Sequence, residues 1–323
     1  MMEVTTPGRI VEAQRWFREN GKGFSGQLSF DEPLSKYTYY RIGGPASILA
    51  IPKGREDLVW LANAIRETRV PFFILGAGSN LLVSDQGYAG LIIRCSRINL
   101  DIDRLDSDAG YDGIRTGGSV AISTLLRRAV QEGWGGLEFL TGIPGSIGGV
   151  VRMNGGTHLG EAQDRLRRLD VFHLSEETGA WGVESIDRAG FKFSYRRNHF
   201  LPRSSIVLAA DWEIRPEPPA KVKAVIDETL SRRKSTQPVD YPSCGSVFKN
   251  PKESGMSAWQ VVDKLGLRGH RIGDAQFAEK HSNFIINHGS ARAADVLALI
   301  ELAKKRARDE LGVTLEEEVI HLG

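Results

Sequence analysis

The chain switches between two hydrophobic periods. Leu58, Leu61, Ala62 and Ile65 recur at helical spacing, and the apolar run Phe72–Leu75 that follows predicts a short buried strand ending at Gly76. Together they predict a small mixed α/β unit. Ile122, Leu125, Leu126 and Ala129 mark a second amphipathic helix, with strand-like segments after it at residues 169–174 and 206–214. The cluster Arg215-Pro216-Glu217-Pro218-Pro219 interrupts this pattern, because proline donates no backbone hydrogen bond. It predicts a linker without ladder or helix bonding, and a domain boundary near residue 218. A helix carrying Val222, Ile226 and Leu230 on its apolar face comes next. The remaining residues read as an independent α/β module. It has a strand at 246–248, a helix from about Ser257 and a strand at 283–286. A long helix with Val296, Leu297, Ile300, Ala303 and Ala307 on one face stops at Gly312.

With 25% charged and 41% hydrophobic residues among 323, the chain has the balance of a globular protein, which excludes disordered and fibrous classes. Lys and Arg number 42 against 40 Asp and Glu, a net charge of +2 that predicts no general nucleic-acid surface. The basic runs Arg232-Arg233-Lys234 and Lys304-Lys305-Arg306 fall in predicted helices and read as solvated faces. Two cysteines, Cys95 and Cys244, support neither a disulfide framework nor a cysteine zinc site, which suits a reducing, cytoplasmic setting. Glu3, Glu12 and Glu19 interrupt any secretory-signal core, and no apolar run approaches the roughly 18 residues of a membrane span, so no membrane insertion is expected. The seven histidines show no H-E-x-x-H spacing, and no metal site is predicted.

Glycine changes the picture. Its 36 residues are about 11% of the chain against a usual value near 7%, and ten fall within the 28 residues from Gly133 to Gly160. The segment FILGAGSNLLV places Gly76, Gly78, Ser79 and Asn80 just after a predicted strand, where bare backbone N–H groups can face an anion such as a pyrophosphate. A tight structural turn explains the same residues. A dinucleotide fingerprint would need glycine or alanine at Leu81 and a helix opening there, and neither is evident. The segment TGIPGSIGGVVRMNGG sets Pro144, Gly145, Ser146, Gly148 and Gly149 in a loop that either presses on a flat or phosphorylated ligand or packs on its neighbours. With Gly117 and Gly118 between the two segments, one large cofactor is the simpler explanation.

The ordered motifs YRIGGPA at 40–46, GAGSNLLV at 76–83, GIPGSIGG at 142–149, GSVFKNP at 245–251 and LEEEV at 315–319 resemble the UDP-N-acetylenolpyruvoylglucosamine reductases of peptidoglycan synthesis over residues 26–323. The resemblance implies an α+β protein. An FAD-binding fold of the vanillyl-alcohol-oxidase (PCMH) type would occupy two subdomains, at 26–95 and 96–217, after an N-terminal helical extension at 1–25. A C-terminal α/β substrate-binding domain would span 218–323. It also implies bound FAD, NADPH as hydride donor and a UDP-sugar enolpyruvyl ether as substrate, in a monomeric cytoplasmic enzyme of cell wall biogenesis on which cell shape and division depend. The implied cofactor contacts are Tyr40, Arg41, Gly76, Gly78, Ser79, Asn80, Gly117, Gly118, Pro144, Gly145, Ser146, Gly148, Gly149 and Asn154.

In the implied reaction a hydride reaches the methylene carbon of the enolpyruvyl ether, and negative charge develops at the neighbouring carbon and in the carboxylate. Such a site needs a fixed cation or hydrogen-bond donors and a proton donor. By resemblance Arg196, in FSYRRNHF, is the catalytic arginine, Ser246 the proton donor and Glu318 the catalytic glutamate. Taken alone, Tyr195-Arg196-Arg197 is a solvated strand end, Gly245-Ser246 a turn, and the Glu316-Glu317-Glu318 run solvent-exposed. A glutamate beside an enolate must be protonated, or neutralised by Arg196. Tyr195 and Asn250 match substrate contacts, with Lys249, Gln276 and His281 added from the same domain, while Arg268, His270 and Arg271 form a basic cluster suited to a diphosphate or to a surface loop. Three positions depart from the family pattern: Arg152, Gly155-Gly156-Thr157 and Asp274. The third domain resembles the shorter subclass. The alternative is another FAD-dependent oxidoreductase of the same cofactor fold.

Overall fold

The computed structural model describes residues 7–105, 110–175, 178, 180–252 and 254–323. Residues 1–6 of the expected N-terminal extension lie outside the described residues, and the helix Pro7–Asn20 follows them. The chain forms two compact units that do not follow chain order. One holds Ser47–Ala77, Ala89–Leu230 and the chain up to Glu32, and the other holds Pro33–Ala46, Gly78–Tyr88 and Ser231–Gly323.

In the first unit the helical period of Leu58, Leu61, Ala62 and Ile65 becomes the helix Arg55–Thr68, with all four side chains at most 1% exposed. It leads into the strand Phe72–Leu75, which lies parallel to Tyr88–Arg94. Gln27–Pro33 and Pro45–Ile51 complete that four-stranded sheet. Pro7–Asn20 packs on Arg55–Thr68 through Phe17 and Trp60, whose ring centroids are 5.5 Å apart. A second sheet is antiparallel, in the order Trp181–Asp187, Leu166–Leu174, Ser205–Glu213, Gly113–Gly117, Ile102–Arg104. On it lie the helix Ile122–Glu132 and a core in which Trp212 is fully buried, its indole N–H donating to Thr116 Oγ1 at 2.9 Å. Burying such a side chain contributes about 3 kcal/mol, and pairing the N–H removes the cost of a buried orphan donor.

Two expectations change here. The proline cluster does enter a ladder, since Arg215–Pro216 pairs with Trp134–Gly135. A proline at the end of so short a strand loses nothing where no donor is required. In the helix Pro219–Thr236, Val222 and Ile226 are buried but Leu230 is 45% exposed, and Thr229 completes the buried stripe. At about 100° per residue, position 229 returns to the azimuth of 222 while 230 falls about 80° away.

The second unit is built on the antiparallel sheet Ser243–Ser246, Phe284–Asn287, Ala275–Phe277, Arg271–Ile272. The helices Ala258–Lys264 and Ala293–Leu311 cover its core, and Gly312 closes the second of them in the left-handed region with φ of 65°. The strand expected at 246–248 is shifted to Ser243–Ser246. A bulge interrupts the pairing between Ser243 and Ser246, and beyond Ser246 the chain turns to another partner, with Phe248 bridging Glu317. Tyr40, Ile42 and Leu82, from distant parts of the sequence, are core residues of this unit. Leu81–Val83 runs parallel to Ile320–Leu322.

Candidate active site

In the first unit Gly76, Gly118 and the segment at 142–149 meet. Gly118 N–H donates to Leu208 O at 2.9 Å, Gly148 N–H to Gly118 O at 2.8 Å, and Ile122 N–H to Gly145 O at 3.0 Å, while Ala121 bridges Ser146. A Cβ on Gly118 would lie 1.9 Å from Val207 O, so backbone approach alone demands glycine there. Gly76 and Gly149 differ. A Cβ on either would meet only Ser146 Oγ, at 3.6 and 3.9 Å respectively, which is ordinary contact. No packing neighbour explains these two bare positions. With Ser146 between them they form a cradle that a side chain would fill and that suits a closely approaching cofactor. Pro144 is exposed beside it.

Asn154 ends the helix Ile147–Met153 with φ of 45° and is fully buried. Its amide is committed within the protein: Nδ2 donates to Glu161 Oε2 at 2.7 Å and to Ser194 O at 3.2 Å, and Oδ1 accepts from Gln163 N–H at 3.1 Å. Ser194 belongs to a small hairpin, Phe193–Ser194 against Arg197–Asn198, with Tyr195 and Arg196 at its turn. Arg196 adopts φ of 57°, its Nη1 donates to Gly156 O at 3.2 Å, and its guanidinium stands 5.4 Å from the centroid of the Tyr195 ring. Arg197 is exposed. The positive-φ non-glycine residues among the described residues are Asp31, Arg41, Arg69, Asn154 and Arg196. Three of them carry predicted site roles, which is where backbone strain tends to be retained.

The second unit holds the other two candidate catalytic residues. Ser246 ends its strand opposite Phe284. The next residues pair with the acidic run: Phe248 bridges Glu317, Glu318 N–H donates to Val247 O at 2.8 Å, and Lys249 N–H donates to Glu316 O at 2.8 Å. Ser246 and Glu318 therefore stand on adjoining segments. The run is also sorted by charge. Glu316 lies 3.5 Å from Lys249 Nζ, and Glu317 lies 2.9 Å from Lys304 Nζ and 2.7 Å from His321 Nε2. Asn80 Nδ2 donates to Glu318 O at 3.0 Å, tying the first glycine segment to the glutamate. Gly78 has φ of 69°, and a Cβ there would lie 2.2 Å from Tyr37 O. Ser79 is half-buried.

The remaining predicted residues are placed as follows. The Tyr40 ring is in the core of the second unit, and burial pushes its hydroxyl pKa up. Its neighbour Arg41 is exposed with φ of 56°. Asn250 Oδ1 accepts from Ala258 N–H at 3.0 Å and so caps Ala258–Lys264. Gln276 donates to Gly269 O at 2.9 Å and contacts His288 Nε2 at 2.5 Å. His281 packs on Phe284 at 4.8 Å, and burial lowers its pKa. In the basic cluster Arg268 pairs with Asp263 and Arg271 with Asp274, one of the departing residues.

Sequence reasoning passed over Asn283, whose side chain donates to Phe248 O and accepts from Phe248 N–H, both at 2.9 Å, holding the segment after Ser246. It also passed over Asn198, which donates to Arg152 O at 2.5 Å. A lone asparagine carries no periodic or motif signal.

Residues 46–177 match the model of an FAD binding domain, and residues 237–322 match that of the C-terminal domain of UDP-N-acetylenolpyruvoylglucosamine reductase. These matches define an FAD-containing oxidoreductase. The chain is 39% identical over 302 residues to the UDP-N-acetylenolpyruvoylglucosamine reductase of Heliobacterium modesticaldum, covering 94% of this chain and 93% of that protein. It is 37% identical over 299 residues to that of Syntrophus aciditrophicus, covering 93% of each. The crystal structure of the enzyme from Thermus caldophilus superposes with a TM-score of 0.73 at 34% identity, over 92% of this chain and 99% of that one. The chain belongs to the UDP-N-acetylenolpyruvoylglucosamine reductase family.

Proposed function

We propose that this chain reduces UDP-N-acetylglucosamine enolpyruvate to UDP-N-acetylmuramate, with NADPH as the source of hydride, in the synthesis of peptidoglycan precursors. The single observation that carries the reading is the pairing of residues 247–249 with 316–318, which brings Ser246 and Glu318 onto adjoining segments. FAD, when bound, supplies the hydride chemistry that links NADPH to the methylene carbon of the substrate. The Gly76, Ser146 and Gly149 cradle and the glycine turns around it would hold it.

The chain's own residues manage charge and protons. Arg196 holds the substrate carboxylate through its planar fork of N–H donors, which strengthens as charge moves into that group. Ser246 delivers a proton to the carbon next to the carboxylate, and solvent restores the hydroxyl proton. Glu318 acts in its protonated form, since an ionised carboxylate would repel the developing charge. Tyr195, Lys249, Asn250, Gln276 and His281 orient the UDP-sugar. The enzyme acts as a cytoplasmic monomer, in the compartment that holds nucleotide-activated sugars and NADPH. No helix among the described residues is long and apolar enough to cross a membrane.

The test separates the two half-reactions. Under anaerobic conditions NADPH should bleach the flavin absorbance, and UDP-N-acetylglucosamine enolpyruvate should restore it. In Ser246→Ala the bleaching should proceed within about twofold of the parent rate while the return slows by about 100-fold or more, the range expected of a lost general acid. Equal slowing of both phases would remove Ser246 from its role, and a flavin that stays bleached in the parent protein would overturn the substrate.

A further inference from the structure

The hairpin that presents Arg196 is too short to hold itself. Its ladder is two residues on each side, Phe193–Ser194 against Arg197–Asn198, and an isolated hairpin is marginal in water at any length. Arg196 sits at its turn with φ of 57°, a conformation that a residue with a side chain keeps only when its surroundings over-determine it. Those surroundings converge on the C-terminal end of Ile147–Met153. On one side of the hairpin Asn154 Nδ2 donates to Ser194 O at 3.2 Å. On the other, Asn198 Nδ2 donates to Arg152 O at 2.5 Å, and Asn198 Oδ1 accepts from Leu201 N–H at 3.0 Å.

Arg152 extends the tie. Its guanidinium donates to Leu201 O at 3.0 Å, Pro202 O at 2.7 Å and Ser205 O at 2.5 Å, fixing the segment that leaves the hairpin. Burial lowers its pKa to about 10, which still leaves it charged at neutral pH. Hydrophobic packing is supplied separately by Phe191, Phe193 and Phe200, with Phe200 centroids 5.2 Å from Phe191 and 5.0 Å from Phe193. The aromatic cluster gives the hairpin adhesion, and the directional bonds to carbonyl groups give it an orientation.

We propose that Arg152 and Asn198 are positioning residues for Arg196: they lock the hairpin onto the end of Ile147–Met153 so that the Arg196 guanidinium keeps its direction. Neither touches the reacting atoms. This rests on the reading that Arg196 holds the substrate carboxylate, and it gives the departing residue Arg152 a function.

The test is a double-mutant cycle in the full-length holoenzyme. Asn198→Ala should slow the return of flavin absorbance on adding UDP-N-acetylglucosamine enolpyruvate by about 10- to 100-fold, as a misplaced orienting group does, with bleaching by NADPH within about twofold of the parent. In an Arg196→Ala background, Asn198→Ala should add nothing, because the group it positions is already gone. Backbone amides of residues 193–201 should exchange faster in Asn198→Ala, a readout independent of turnover. A full additional slowing in the Arg196→Ala background, equal slowing of both half-reactions, or unchanged exchange would overturn the proposal. If Arg196→Ala by itself leaves the return at the parent rate, the role of Arg196 fails and this inference falls with it. Should Asn198→Ala not fold, Arg152→Lys carries the same cycle, keeping the charge and losing the fork on three carbonyls. Failure of both to fold would make the ties structural and end the proposal.

Discussion

A Cβ at Gly118 would stand 1.9 Å from Val207 O, whereas one at Gly76 would meet only Ser146 Oγ at 3.6 Å. The two glycines look alike in sequence but answer to different constraints. Gly118→Ala should therefore destabilise the apoprotein by about 3 kcal/mol, since backbone must shift to admit the methyl group. Gly76→Ala should change apoprotein stability by less than about 0.5 kcal/mol and weaken FAD by about tenfold, because the methyl group takes space in the cradle. Thermal unfolding of the apoproteins and titration with FAD check both. Comparable unfolding of the two variants would show that Gly76 is bare for packing reasons after all. Asn154 carries a related lesson. The resemblance implies a cofactor contact there, and in the structure its side-chain amide bonds Glu161, Gln163 and Ser194 within the protein. Which atoms a polar side chain satisfies is a property of its three-dimensional neighbours.

At the scale of elements, the helices were largely legible. Apolar spacing located Arg55–Thr68, Ile122–Glu132 and Ala293–Leu311, and Gly312 marked the end of the last. What begins Ala293–Leu311 was not legible. Asp85, more than 200 residues earlier, accepts Ala293 N–H at Oδ1, 2.8 Å, and Ala294 N–H at Oδ2, 3.1 Å, and so satisfies orphan donors of the first turn. Local capping rules cannot find a cap supplied by a distant loop. Asp85→Ala should cost about 1 kcal/mol, as loss of a cap typically does, while Asp85→Asn should recover most of it. Chemical denaturation of the three proteins measures the difference, and an alanine variant as stable as the parent would show the contact contributes nothing. The strand expected at 246–248 was displaced for a similar reason. The partner segment at 316–318 takes up residues 247–249, and that pairing is not visible in local alternation.

For the whole molecule, chain order and spatial units part company. The residues from Ser231 onward share a core with Tyr40, Ile42 and Leu82, and Ile320–Leu322 pairs with Leu81–Val83. A fragment of residues 231–323 would lose those apolar side chains, the strand partner and the Asp85 cap together. It should show no cooperative thermal transition, although its sequence reads as a self-contained α/β module. A sharp two-state unfolding curve from that fragment would prove the expectation wrong. The order of the motifs by itself carried the resemblance to the family, which implied the flavin-dependent class and the candidate catalytic residues, because a motif depends on residue type and spacing. Helix positions were determined the same way, since a 3.6-residue period is local. The tertiary structure alone decided that Ser246 and Glu318 lie on adjoining segments, that Arg196 is held in a left-handed turn, and that Arg152 and Asn198 brace it. Those facts depend on hydrogen bonds between residues far apart in the chain, and the pairing of distant donors and acceptors leaves no periodic mark in a sequence.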